Sequence, residues 1–464
     1  MSGLRLRCVA SAFALALSLA GCATLIPDYQ RPAAPVAPSY PGATPAQPGV
    51  APSDIDWQDY FSDARLQHLI KVALDNNRDL RVAVLSIEQA RARYQVRRAD
   101  ELPTVGLGAT GSRQPNASGS IVSAYSAGLA VTAYELDFFG RVRSLSAAAL
   151  AQYLATAEAR KNVQIALISS VANTYLNLLA DDELLAVTRR ALATREESLK
   201  LTKLKFDVGA ASELDYRQAE SLLEGARATL AQLMRQRALD ENALVLLLGQ
   251  ALPADLPQGA GIGNQMLIRE LPAGVPAEVL VRRPDVRQAE QQLIAANANI
   301  GAARAAFFPQ ITLTGSAGTA SSELSGLFKS GSSAWTFMPQ LLLPIFDSGR
   351  SQANLDAANI GRDIALAQYE KAIQTAFREV ADALAGRATL GEQLRAQQGQ
   401  AHAEAARYRL ADLRYRNGAA SYLDVLDAQR ALLAAQQAVV QVQAQQVQYQ
   451  VTLYKVLGGG WKGP

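Results

Sequence analysis

Two stretches limit what this chain can fold into. Residues 141–208 contain neither Gly nor Pro, and residues 345–463 contain no Pro. A helix running through the first would have 68 residues and measure about 100 Å at 1.5 Å per residue, a length no compact globular domain needs. The stretch that follows it, Lys205-Phe-Asp-Val-Gly-Ala-Ala-Ser-Glu-Leu-Asp215, recurs 209 positions later as Arg414-Tyr-Arg-Asn-Gly-Ala-Ala-Ser-Tyr-Leu-Asp424. Each copy reads as a break between helices, ending one at Gly209 or Gly418, where a left-handed residue is cheap, and starting the next at the cap Ser212 or Ser421. These turns are therefore expected to be the tips of two very long helical hairpins.

The rest of the programme repeats too. Asp79-x-Arg81-x-Ala83 matches Asp285-x-Arg287-x-Ala289 and Pro103 matches Pro309 at an offset of 206, while Gly140-Arg141 matches Gly349-Arg350 at 209. A helical pattern over 57–99 stops at Pro103. Alternating residues then predict strands near 104–112 and 125–136, and again near 310–318 and 335–346, joined by polar loops 113–124 and 319–334. The expected domains are repeat 1 (57–249), a loop-rich inter-repeat segment (250–284) and repeat 2 (285–464). Each repeat is helix, β-hairpin, 68-residue helix, tip and 36-residue helix. Four short strands per chain cannot close a barrel, and an open edge is not tolerated in hydrocarbon. Two chains would supply eight strands and three chains twelve, so the residues themselves imply only an oligomer.

The N-terminus reads as targeting. Arg5 and Arg7 precede an apolar run too short to span a bilayer, and Leu19-Ala20-Gly21-Cys22 resembles a bacterial lipobox. That resemblance implies a signal peptide over 1–21, acylation of Cys22 and, with Ala23 following, an outer-membrane destination. Eight prolines within 27–52 predict an extended tether over 22–56.

Net charge is +3 with 45 basic and 42 acidic residues, so a nucleic-acid partner is not indicated. With two His and two Cys, no metal, cofactor or catalytic set is expected; Gly106-x-Gly-x-x-Gly111 lies in a strand pattern with no helix opening after it, and so lacks the context of a dinucleotide site.

Leu271-Pro-Ala-Gly-Val-Pro-Ala-Glu-Val-Leu-Val-Arg-Arg-Pro-Asp-Val-Arg-Gln-Ala-Glu290 is similar to a signature of the outer-membrane efflux proteins of the TolC family, in the OprM/NodT lipoprotein branch. Tyr134-Glu-Leu-Asp-Phe-Phe-Gly-Arg141, Leu426-Asp-Ala-Gln-Arg430 and Gly458-Gly-Gly-Trp461 carry the same resemblance. It implies a mainly α fold with a membrane β-barrel: a homotrimer with a 12-stranded barrel in outer-membrane lipid, continued by a helical tunnel across the periplasm. It also implies a periplasmic adaptor (membrane fusion protein) and an inner-membrane pump of the resistance-nodulation-division type. The expected function is a passive exit duct for drugs or other small toxic compounds, not an enzyme. A type I protein-secretion duct shares the fold, and a periplasmic coiled-coil adaptor lipoprotein is the alternative from another class.

On this frame the tips Val208, Gly209, Ala210, Ala211 and Ser212, with Asn417, Gly418, Ala419, Ala420 and Ser421, are expected to dock the adaptor. Asp424 and Asp427 share a helix face just beyond the second tip. With Leu423, Arg430, Tyr415 and the partial counterpart Asp215, they are the expected gate, matching the family's aspartate constriction. Trp335, Phe307 and Phe308 are expected interfacial aromatics.

Overall fold

The computed structural model describes residues 24–41, 55–262 and 277–460. The signal peptide, Cys22 and Trp461 lie outside the described residues. In order, the elements are α1 (Trp57–Tyr60), α2 (Ala64–Asn76), α3 (Arg78–Ala99), β1 (Val105–Pro115), β2 (Ile121–Glu135), α4 (Arg141–Asp207), α5 (Glu213–Leu248), α6 (Pro284–Ala305), β3 (Gln310–Ser321), β4 (Ser333–Leu342), α7 (Arg350–Arg416) and α8 (Tyr422–Val456). α4 and α7 have 67 residues each, and α5 and α8 have 36 and 35. The two halves therefore repeat in length as well as in sequence.

The single helical pattern expected over 57–99 is three helices. Asp63 caps α2 by accepting from Leu66 N–H at 2.9 Å, and Asn77 opens α3 by accepting from Leu80 N–H at 2.9 Å. Each short polar side chain satisfies an orphan amide, and each stops the helix before it. The strands also differ from expectation. β1, β2 and β3 run into the polar stretches read as loop, because ladder pairing is a backbone matter and tolerates Ser, Gln and Arg at a hairpin end. β4 stops at Leu342, two residues before Pro344, which has no N–H to give.

The chain folds into two compact units. One holds 24–34, 85–158 and 287–372, and so the whole sheet. The sheet is antiparallel in the order β1-β2-β3-β4, leaving β1 and β4 each with one unpaired edge. β2 and β3, one from each repeat, meet at its centre with Gly128 opposite Gly318. In this unit the proline-rich segment is not a free tether. Arg31 makes a two-pronged ion pair with Glu290 of α6 (2.7 and 3.0 Å), and Tyr29 Oη donates to the same carboxylate at 3.1 Å. Asn297 Nδ2 donates to Pro27 O at 2.7 Å, so 24–31 lies along α6 without secondary structure of its own.

The other unit holds 35–41, 55–84, 159–262, 277–286 and 373–460 of the described residues, including both tips. Its largest buried side chains gather where α1 and α2 meet α8. Tyr60 stacks on Tyr454 at 3.8 Å between centroids, and their hydroxyls donate to Gln450 O and Ile55 O, each at 2.8 Å. Phe61 meets the Tyr454 ring edge-on at 6.0 Å, and Leu66, Leu69 and Ile70 of α2 are buried as well. Arg283, from the signature stretch, is buried here. Its guanidinium holds Asp285 (2.6 Å) and Glu379 (2.7 Å) and donates to Val456 O at 2.8 Å. One arginine thus joins the start of α6, α7 and the end of α8.

Candidate functional site

The residues expected to carry the function fall in three places: the sheet, the two tips, and the helix face beyond the second tip. In the sheet, strand alternation combined with register sorts side chains into two faces. One face carries Val105, Leu107, Leu129, Val131, Trp335 and Phe337 in adjoining rows, and the other carries Thr110, Ser112, Ser126, Thr314, Ser316 and Thr336. On the polar face Thr110 and Ser126 hydroxyls bond at 2.7 Å, as do Ser316 and Thr336 at 2.8 Å. No described residue covers the apolar face at Leu107 and Trp335, which are 83% and 77% exposed. That is the dyad pattern of a barrel strand with hydrocarbon outside and water inside. Phe308 stacks on Phe139 at 4.7 Å, and Phe307 and Phe308 are exposed to nearly the same degree, 43% and 41%.

The strand-to-helix elbow is built by the Tyr134–Arg141 stretch. Glu135 receives Arg141 through two bonds of 2.8 and 2.6 Å and Gln310 Nε2 at 2.6 Å. Asp137 accepts from Arg143 N–H at 2.8 Å in the first turn of α4. Asp137 thus satisfies one of α4's first backbone donors while Glu135 ties the side chain of Arg141 to Gln310 of β3, and together they fix the helix's exit from the sheet.

The tips are near-copies. Gly209 (φ +71°) and Gly418 (φ +72°) occupy the left-handed region. Gly209 N–H donates to Phe206 O (2.9 Å) and Ala210 N–H to Lys205 O (2.7 Å); their counterparts are Gly418 to Tyr415 O (3.0 Å) and Ala419 to Arg414 O (2.9 Å). Val208, Gly209 and Ala210 are exposed and Ala211 half-buried in the first tip; Asn417, Gly418 and Ala419 are exposed and Ala420 half-buried in the second. The caps differ. Ser212 and Asp215 form a reciprocal capping box, with Asp215 N–H donating to Ser212 Oγ at 3.1 Å and Ser212 N–H to Asp215 Oδ2 at 3.2 Å. Ser421 stands at the same position but makes no such cap; its hydroxyl donates to Asp424 Oδ2 at 3.1 Å. The expectation of two serine caps is corrected at Ser421: the Ser212 hydroxyl donates to Asp215 Oδ2 at 2.7 Å while still accepting from the Asp215 amide, whereas the Ser421 hydroxyl makes only the bond to the carboxylate.

Behind the tips, Ala219, Leu222, Tyr422, Val425 and Leu426 form a buried cluster with Tyr415 against it. Lys205 Nζ lies 4.2 Å from the Tyr415 ring centroid, a cation–π contact between the two tips. Lys205 is legible in the sequence as part of the repeat, but its contact is not, because the partner is more than two hundred positions away. Leu423, Asp424, Asp427 and Arg430 are exposed on α8. Asp427 is 3.5 Å from Arg407 of α7 rather than paired with Arg430. Asp215 is taken up by its capping box, so the first tip presents no equivalent pair of acids.

An amphipathic sheet with two open edges, continuous with helices of 67 residues, defines an oligomeric outer-membrane channel. The chain belongs to the outer membrane efflux protein family, whose profile matches residues 69–250 and 275–459, one segment in each repeat. It is 50% identical over 461 residues to the solvent efflux pump outer membrane protein SrpC of Pseudomonas putida, covering 97% of each chain. It is 46% identical to the outer membrane protein OprJ of Pseudomonas aeruginosa over 459 residues, 97% of this chain and 95% of that one. The open state of the MtrE outer membrane channel of Neisseria gonorrhoeae superposes with a TM-score of 0.87 at 43% identity, covering 95% of this chain and 99% of that one. The fold is that of the trimeric outer-membrane channels, four strands from each of three chains making the barrel. The adaptor alternative falls with this assignment.

Proposed function

We propose that the trimer is the exit duct of a tripartite efflux machine, receiving small toxic compounds from an inner-membrane pump of the resistance-nodulation-division type through a periplasmic adaptor. Relatives named for solvent, toluene and antibiotic efflux support that substrate class. The hairpin ends 116–120 and 322–332 would face the exterior and the tips the periplasm. Acyl chains on Cys22 would add a second hold on the outer membrane.

The observation that carries the docking reading is the pair of tips. Two turns of the same geometry expose Gly and Ala backbone with no side chain in the way, which lets another helical hairpin approach closely. Nothing lies within 4 Å of a Cβ built on Gly209 or Gly418, so the space there is open to a partner. Gly209→Trp and Ala420→Trp should each abolish solvent or drug resistance in cells while heat-resistant trimers still form. Full resistance in both variants would sink the docking reading.

A further inference from the structure

We propose that a cavity at Arg195, behind the tip cluster, is a binding site for a small monocarboxylate. Arg195 of α4 is only 6% exposed, and its hydrogen bond is a single one, from Nη1 to Leu222 O at 3.0 Å. Among the described residues it has no ion pair. The charged group acting on it is another cation, Arg430, and burial together with Arg430 lowers its pKa. An arginine does not solve this by losing its proton in the physiological range. A buried cation facing a carbonyl and a second cation costs several kcal/mol unless an anion joins it. No described residue supplies one, which leaves the place open to an anion from outside the chain.

The space for one is present. A cavity of about 150 Å³ borders Arg195, with Arg190, Tyr408, Gln429, Leu432 and Leu433 in its wall. Arg190 is exposed and tied to Glu183 only across a solvated 3.3 Å pair, which leaves its charge largely available. Gln429 is buried and donates from Nε2 to Ser198 Oγ at 3.2 Å, while its Oε1 has no partner. Turned over, the amide would still satisfy Ser198, whose hydroxyl both donates and accepts, and would offer two N–H donors in place of that oxygen.

The wall chemistry selects the class. A guanidinium fork meets the two oxygens of a carboxylate side by side. Leu432, Leu433 and the Tyr408 ring provide an apolar wall for a short hydrocarbon tail, which a halide or phosphate would leave unused. Tyr408 also packs on the tip cluster, and Leu222, the carbonyl partner of Arg195, belongs to it. A bound carboxylate would therefore bridge α4 and α8 directly behind the second tip.

Detergent-purified trimer, dialysed against sodium chloride, is titrated with sodium propionate at matched ionic strength by calorimetry. Saturable heat with one site per chain is expected, together with a rise in the melting midpoint of roughly 2 °C or more at saturation. Arg195→Met should abolish the binding while melting no lower than wild type in chloride, because it removes an unpaired buried charge. Arg195→Lys, which keeps charge but loses the fork, should bind at least about tenfold more weakly. No saturable heat in the wild-type trimer overturns the proposal, even if Arg195→Met fails to assemble. A sharp drop in the melting point of Arg195→Met with no propionate effect in wild type also overturns it, and would show that a carboxylate of a neighbouring copy already fills the place.

Discussion

Gly128 of β2 and Gly318 of β3 are register partners so close that a Cβ on Gly128 would lie 2.6 Å from the Gly318 Cα and 2.5 Å from Ala317 O. They come from the two sequence repeats, and their meeting is the seam on which the repeats join in the sheet. Both residues belong to the polar face, so a side chain there would crowd the water-filled side and force the strands apart at once. Gly128→Val should cost about 1–3 kcal/mol as an overpacked site and lower the yield of heat-resistant trimers. Gly108→Val, on the same face where a Cβ meets nothing within 4 Å, should leave that yield close to wild type. Equal yields of the two variants, read on unheated gels, would refute the seam argument.

Arg283 offers a second test. Removing it leaves Asp285 and Glu379 facing each other near the end of α8 without their shared cation. Loss of one partner from a buried ion pair costs about 3–5 kcal/mol, and the partial exposure of both acids places Arg283→Ala at the lower end. Thermal melting of the purified trimer should show the loss, and Glu379→Gln in the same background should recover part of it.

Asp181 makes stability depend on pH. Burial first, then the neighbouring Asp240 and Asp182 carboxyls, raise its pKa to about 7, against an opposing pull from Arg237. The folded chain therefore prefers the protonated acid. Its contribution is fully present below the ordinary carboxylate range and is lost as pH rises through about 7. The melting point of wild type should fall over that interval relative to Asp181→Asn, with a slope no steeper than about 1.4 kcal/mol per pH unit for one proton. Asp181→Asn should be the more stable of the two at pH values above the window. Parallel curves would remove Asp181 from the account.

The acids beyond the second tip are expected to act on conduction. Asp424 and Asp427 are exposed on one face of α8, and three copies around an axis would bring six carboxylates together, a ring that attracts cations. In planar bilayers Asp424→Ala with Asp427→Ala should weaken divalent-cation block and raise open conductance, while Asp215→Ala should change neither. Unchanged block in the double variant would reduce these residues to first-turn acids favoured by the helix dipole.

Much of the fold is legible in the chain because long-range order here is repetitive. The unbroken helices, the glycine turns at 209 and 418 and the alternation of Leu107, Leu129 and Phe337 each follow from local rules applied twice. What the chain conceals depends on partners distant in sequence or on a choice among polar atoms. Asn77 and Asp63 break a helix that periodicity alone would run through, because capping competes with continuation. The proline segment 24–31 reads as a loose tether, and only the fold brings Glu290 close enough to hold Arg31. Ser421 follows the same Gly-Ala-Ala run as Ser212 and both hydroxyls donate to the acid three residues on, yet only Ser212 also accepts that acid's amide, a difference that residue type alone leaves open. The cavity at Arg195 has no sequence signal at all, since an unpaired buried charge is defined by what the fold fails to bring near it.

The open edges of β1 and β4 have a consequence for inheritance rather than for structure. A chain with two unsatisfied strand edges cannot insert into hydrocarbon by itself, so every working channel draws its parts from a common pool. Where normal and faulty copies are expressed together, most assemblies contain at least one faulty member. A defect confined to a tip or to the gate, which leaves the edges able to pair, should therefore behave as dominant. A defect that destroys the strands removes its own product from the pool and should behave as recessive.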